Sequence, residues 1–214
     1  MITLRETPHP MTTLIRDARR AAILEAGIEL FSRQGYHKTT MPEIAKAAGA
    51  SVGLIYYHFD NKADILVAIV KEFHAFGLEA FERSYAIANP RERLDAAIRY
   101  LYTEIDRFSK VFLILYKDLS SLSHEDRQHI YALEEETVNH VATLIHEGQQ
   151  AGDFAADIPN VPLLAANVIS LGHMWALKKT WYFASRVTLA EYTDTQLQYI
   201  HILLKGNGAV PNQS

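Results

Sequence analysis

The chain has 214 residues, 49% of them hydrophobic, no cysteine, and 21 Lys+Arg against 25 Asp+Glu, a formal charge of −4. That length supports a buried core without covalent staples, either as one domain or as a small module joined to a larger one. The missing cysteines exclude a disulfide framework, a thiolate metal site and a cysteine nucleophile, and the mild acidity speaks against a protein that coats nucleic acid indiscriminately.

The total hides a split. Residues 1–62 carry 8 basic and 6 acidic side chains, whereas residues 63–214 carry 13 and 19. A basic end on an acidic body fits a nucleic-acid-facing terminus, although an excess of this size is also an ordinary surface. Residues 1–11 are polar and lack the apolar stretch of a secretory signal. The long uncharged run from Ile158 to Leu177 has the length of a membrane span, but it contains Pro159, Asn160, Pro162, Asn167, Ser170 and His173. A buried helix in a cytoplasmic protein with no membrane contact is the expectation.

In chain order the periodicity is helical throughout, and no strand alternation stands out. From about Thr12 to Gln34, residues Ile23, Ala26, Gly27, Leu30 and Phe31 form one apolar stripe, and Gly35 supplies a stop. Thr40 and Glu43 read as a capping box that opens a second, short helix with Ile44, Ala45 and Ala48 inside and Gly49 at its end. Ser51 caps a third helix over 52–59, whose inner face is Ile55 and Phe59 and whose outer face is Val52, Gly53, Tyr56 and Tyr57. After the Asp60-Asn61 turn, a long helix over 62–84 puts Ile65, Leu66, Ile69 and Phe73 inside. Further helices are expected over 91–107, 109–118, 124–150, 161–183 and 188–205.

Two short helices around Gly49-Ala50-Ser51 have the length and turn of a helix-turn-helix, in which the second helix enters the major groove. Tyr56, Tyr57 and His58, with Lys46 and Lys62 beside them, can donate to phosphates, and such contacts set register rather than sequence preference. The stretch FSRQGYHKTTMPEIAKAAGASVGLIYYHFDNKADIL, Phe31 to Leu66, resembles the DNA-binding domain of the TetR/AcrR family of bacterial transcriptional repressors.

The resemblance implies an all-α protein with a helix-turn-helix domain over 12–62 and a larger effector-binding and dimerisation bundle over 63–206, with flexible tails at 1–11 and 207–214. It implies a double-stranded DNA operator as partner, a small-molecule effector, and a homodimer formed through the last two helices. It assigns phosphate contacts to Tyr56, Tyr57, His58 and Lys62, sets Thr39 and Thr40 beside the backbone, and brings Ser51, Val52 and Gly53 to the base edges. Val52 and Gly53 carry no side-chain donor or acceptor. Sequence preference would therefore rest on thymine methyls, close backbone approach at Gly53, the Tyr56 hydroxyl and DNA shape.

In the larger part, aromatic residues suggest a pocket between bundle helices, with Phe112, Tyr116, His173 and Trp175 as its lining. Met174-Trp175 followed by Lys178 and Trp181 is similar to regulators of this family that sense fatty acyl-CoA or related lipid intermediates. No metal site is expected: Glu136 and His140 are four apart, but a third ligand is missing. No cofactor is expected either. No nucleophile motif, HExxH or phosphate loop is present, so an all-α enzyme is the weaker alternative, as is a helical protein-interaction module without DNA.

Overall fold

The computed structural model describes residues 10–183 and 185–206. Among the described residues nine α-helices run in order: α1 (Pro10–Gln34), α2 (Met41–Ala47), α3 (Val52–His58), α4 (Lys62–Ser84), α5 (Pro90–Arg107), α6 (Ser109–Asp118), α7 (His124–Ala151), α8 (Val161–Lys178) and α9 (Leu189–Leu204). No strand occurs among the described residues.

The element starts follow from side chains at their ends. Ser51, Asn61, Asn89, Ser123, Asn160 and Thr188 each accept a backbone N–H from the first turn of the helix they open. At α2 the Glu43 carboxylate accepts both the Thr40 N–H and the Thr40 hydroxyl, each at 2.9 Å.

Two boundaries differ from the sequence expectation. The first helix already begins at Pro10, so residues 10 and 11 are helical rather than tail, while 1–9 and 207–214 lie outside the described residues. The helix expected over 161–183 stays α-helical only to Lys178 and widens into a π turn over Lys179–Phe183. That turn is where Trp175 and Phe183 stack, with ring centroids 5.5 Å apart.

Apolar burial forms two cores. One joins α1–α4 through Ile23, Phe31, Ile44, Ile55, Ile65 and Leu66, and it also takes in Val111 and Ile114 of α6. The other lies among α5, α7, α8 and α9, around Tyr102, Val141, Ile145, Val168 and Leu197. Fully buried aliphatic side chains of this kind each contribute roughly 1.5–3 kcal/mol. Gly172 lets α8 press onto α5, because a Cβ there would meet Ile105 at 2.7 Å and the Tyr102 ring at 2.9 Å. Three helices serve both cores, α7 through Ile130 in the first and Val141 in the second. On α4, Ile65 and Leu66 belong to the first and Phe81 to the second; on α6, Val111 and Ile114 face the first and Phe112 the second.

Candidate nucleic-acid interface and effector cavity

The turn between α2 and α3 is built by Gly49, which holds φ +64, a conformation that favours glycine. Ala50 N–H donates to the Ala45 carbonyl at 2.9 Å, closing α2. The Ser51 hydroxyl then accepts the Leu54 N–H at 3.2 Å, opening α3. Seven residues give α3 about two turns, so its faces are sharply divided. Ile55 and Phe59 are buried, at 0% and 6% exposure, whereas Val52, Tyr56 and Tyr57 stand at 40%, 52% and 64%. Ser51, Gly53, Lys46 and Thr40 are exposed too. A Cβ at Gly53 would meet nothing within 4 Å, so this part of the surface is open. His58 is half-buried and packs edge-on to the Tyr57 ring, with centroids 5.2 Å apart.

Two of the expected contact residues point inward. Thr39 is 1% exposed, and its hydroxyl donates to the Gly35 carbonyl at 2.9 Å. It closes the end of α1 and has no surface to offer. Lys62 bends under the 36–39 loop, where its ammonium donates to the carbonyls of Tyr36 (2.7 Å), His37 (3.1 Å) and Thr39 (3.1 Å) and lies 4.5 Å from the Tyr36 ring centre. An ammonium has three N–H donors, and all are used. Burial lowers the Lys62 pKa, while the Asp118 carboxylate opposes that shift. Lys62, half-buried, is therefore a brace for the loop before α2. Asp118, buried at the end of α6, has one carboxylate oxygen without a hydrogen-bond partner.

In the larger core a cavity of about 210 Å³ opens between α4, α5, α6, α7 and α8. Phe112, Tyr116 and His173 are among the residues that line it. Phe112 and Tyr116, four apart on α6, share one face, and the His173 ring of α8 meets both: 4.5 Å from the Phe112 centroid, with Nδ1 3.2 Å from the Tyr116 hydroxyl. Burial alone pushes the His173 pKa down to about 4, so the ring is neutral at pH 7.

Trp175 is not part of the lining. Two residues past His173 on one helix, it faces the opposite way, donating its ring N–H to Asp106 at 2.7 Å and packing on Phe183 and Tyr192. Lys179 donates to the same Asp106 oxygen at 2.8 Å.

Sequence reasoning missed His74, Glu134 and Thr137, which also line the cavity. The legible signal is a helical stripe on α7 — Ile130, Leu133, Glu134, Thr137 — that becomes visible once polar residues are admitted to an inward face. His74 Nε2 lies 2.9 Å from the Glu136 carboxylate, and its Nδ1 lies 3.3 Å from the Thr137 hydroxyl. Glu136 thus turns to α4, while His140 stacks on Phe81, so that pair does not converge on an ion. Among the described residues no group of three His, Cys, Asp or Glu could hold a metal, and no helix is long and apolar enough to cross a membrane.

A short helix with an open, hydroxyl-bearing outer face, set on a separate bundle with its own cavity, defines a helix-turn-helix regulator. Residues 23–69 match the model of the bacterial regulatory proteins of the tetR family, and residues 88–185 match a tetracyclin repressor-like C-terminal domain. The chain is 32% identical over 182 residues, 85% of its length and 78% of the relative's, to the HTH-type transcriptional regulator HbdR of Aromatoleum sp. (strain CIB). It is 29% identical over 132 residues to the fatty acid metabolism regulator protein of Bacillus subtilis (strain 168), covering 61% of this chain and 68% of that one. The crystal structure of AibR in complex with isovaleryl coenzyme A and operator DNA superposes with a TM-score of 0.69 at 27% identity, over 87% of this chain and 98% of that one. The chain belongs to the tetR family of bacterial regulatory proteins, and it is a transcriptional regulator rather than an enzyme.

Proposed function

We propose that the chain is a repressor that binds a palindromic operator as a homodimer and leaves it when a small hydrophobic effector enters the cavity. The observation that carries the DNA half is the division of α3: Ile55 and Phe59 anchor the helix, and Tyr56 and Tyr57 are held outward, more than half exposed. Tyr hydroxyls and the Lys46 ammonium donate to phosphates, with Ser51, Val52 and Gly53 against base edges and Thr40 and His58 at the flanks. Thr39 and Lys62 support this face from behind. The unit over 12–62 carries DNA contact and the unit over 63–206 carries effector and dimer contact, with α4 as the connector. Dimerisation through α8 and α9 is supported by apolar side chains standing in solvent on both helices: Leu163, Met174, Tyr199, Ile202 and Leu203. Patches of that kind mark interaction surfaces. Two recognition helices would then sit about one DNA turn apart, ~34–36 Å.

The same α6 carries Phe112 and Tyr116 in the cavity and Asp118, whose charge acts on Lys62, so a ligand that moves α6 acts on the brace of the loop before α2. Such a ligand shifts the dimer towards a spacing that no longer fits DNA, a coupling of two sites through two states. Fatty acyl-CoA or a related lipid intermediate is the effector class favoured by the relatives. The reading belongs to a cytoplasmic protein.

Fluorescence anisotropy with a duplex from the region upstream of the chain's own gene tests it. The expected result is dimer binding whose logarithmic affinity falls linearly with the logarithm of salt concentration. Monomeric protein with no salt-dependent affinity for any duplex would overturn it.

A further inference from the structure

The cavity has a chemistry that narrows what can occupy it, and the following rests on the effector reading above. At about 210 Å³ it is somewhat larger than the roughly 150 Å³ apolar cavity that holds one benzene. One ring, or a short branched chain with a substituent or two, fills it; the rest of a longer acyl chain, or a nucleotide, would extend beyond its open side.

The polar groups on its wall are few, and their hydrogen bonds are largely assigned. No lysine or arginine lines it among the described residues. Both nitrogens of His74 are occupied, by Glu136 and Thr137. The Thr137 hydroxyl also donates to the Leu133 carbonyl at 3.1 Å. Glu134 sits at the edge, and desolvation raises its pKa, a setting that opposes a second negative charge.

His173 differs from these groups. It is 8% exposed, its Nδ1 is held by Tyr116, and no hydrogen bond among the described residues engages its Nε2. His173 lines the cavity, so this nitrogen is left to pair with a bound molecule.

We infer that the cavity takes an uncharged, ring-sized apolar group bearing one hydrogen-bonding oxygen, which pairs with Nε2 of His173. A hydroxyl serves either tautomer of the ring: it accepts when Tyr116 donates to Nδ1, and it donates when Nδ1 carries the proton. A carbonyl, such as that of an ester, amide or thioester, serves the first tautomer only. A free carboxylate is rejected, because no lysine or arginine on the wall offsets its charge. For a coenzyme A ester, the acyl group alone is enclosed and the nucleotide stays outside.

Four probes of nearly equal size separate these claims: benzyl alcohol, ethylbenzene, benzoate and benzylammonium, titrated into the full-length protein by calorimetry. Benzyl alcohol and ethylbenzene bind, and benzoate binds at least about tenfold more weakly than benzyl alcohol. His173→Phe weakens benzyl alcohol about tenfold relative to ethylbenzene, the loss of one buried hydrogen bond, and His173→Gln recovers part of the difference. In the unsubstituted protein the ¹⁵N shift of His173 Nε2 moves with benzyl alcohol and stays put with ethylbenzene, a readout that does not depend on a variant folding. Benzoate or benzylammonium binding as tightly as benzyl alcohol, or an Nε2 shift indifferent to the hydroxyl, would overturn the inference. DNA affinity is followed in the same samples. Benzyl alcohol bound through Nε2 with unchanged DNA affinity leaves the cavity assignment standing and removes the effector role. Intact DNA binding with no probe bound removes the cavity assignment and leaves the DNA-binding reading untouched.

Discussion

The helix-turn-helix unit and the C-terminal bundle use the same element, the amphipathic helix, to opposite ends. In α2 and α3 the buried face is a small anchor, Ile44, Ala45, Ile55 and Phe59, and the open face does the chemistry. In the bundle the outer faces of α4, α6 and α7 are solvated, and the chemistry lies inside, where burial turns a histidine into a neutral hydrogen-bonding group. A surface site is assembled from neighbours in sequence, within about twenty residues. A cavity is assembled from five helices whose residues lie between 70 and 173.

Breaking the anchor of the first region should cost most. Ile55→Ala removes a fully buried side chain and is expected to destabilise the N-terminal unit by about 3 kcal/mol. Hydrogen exchange should report the loss in α1–α3 while α7–α9 keep their protection. Equal loss of protection in α7–α9 would mean that the two cores unfold as one.

The second region has a pH signature. His173 titrates at about 4 when folded against an ordinary 6.5, so between these values the unfolded chain holds a proton that the folded chain lacks. Stability from this group is fully present above about pH 6.5 and is lost as pH falls towards 4, by at most roughly 3 kcal/mol. Urea melts across that window should show the decline, and His173→Gln should flatten it.

Lys62→Met tests the brace. It strips three carbonyls of their donor and should cost about 2 kcal/mol in the N-terminal unit, read by hydrogen exchange in α1–α3. The smallest effect is expected from Trp175→Phe. It loses one hydrogen bond to Asp106, about 1 kcal/mol by thermal melting, with no change in cavity binding.

The contrast explains what the sequence made legible. Gly49, Ser51 and the i, i+4 pairs of α3 are local signals, and the division of that helix was readable from seven residues. The inward partners of Thr39 and Lys62 are backbone carbonyls, and backbone geometry leaves no trace in side-chain pattern. Aromatic content alone suggests Trp175 for the lining together with His173, whereas residues two apart on a helix face away from each other. His74 and Glu134 went unread because polar residues on an inward face look like errors until the opposing helices are known.

The central claim is that the outer face of α3 holds DNA. Tyr56→Ala combined with Tyr57→Ala tests it most directly, since both side chains are more than half exposed and their loss leaves the core intact. With two phosphate hydrogen bonds removed, affinity for the upstream duplex at physiological salt should fall by about 100-fold, with the melting temperature unchanged. Unaltered affinity in a folded double variant would contradict the account.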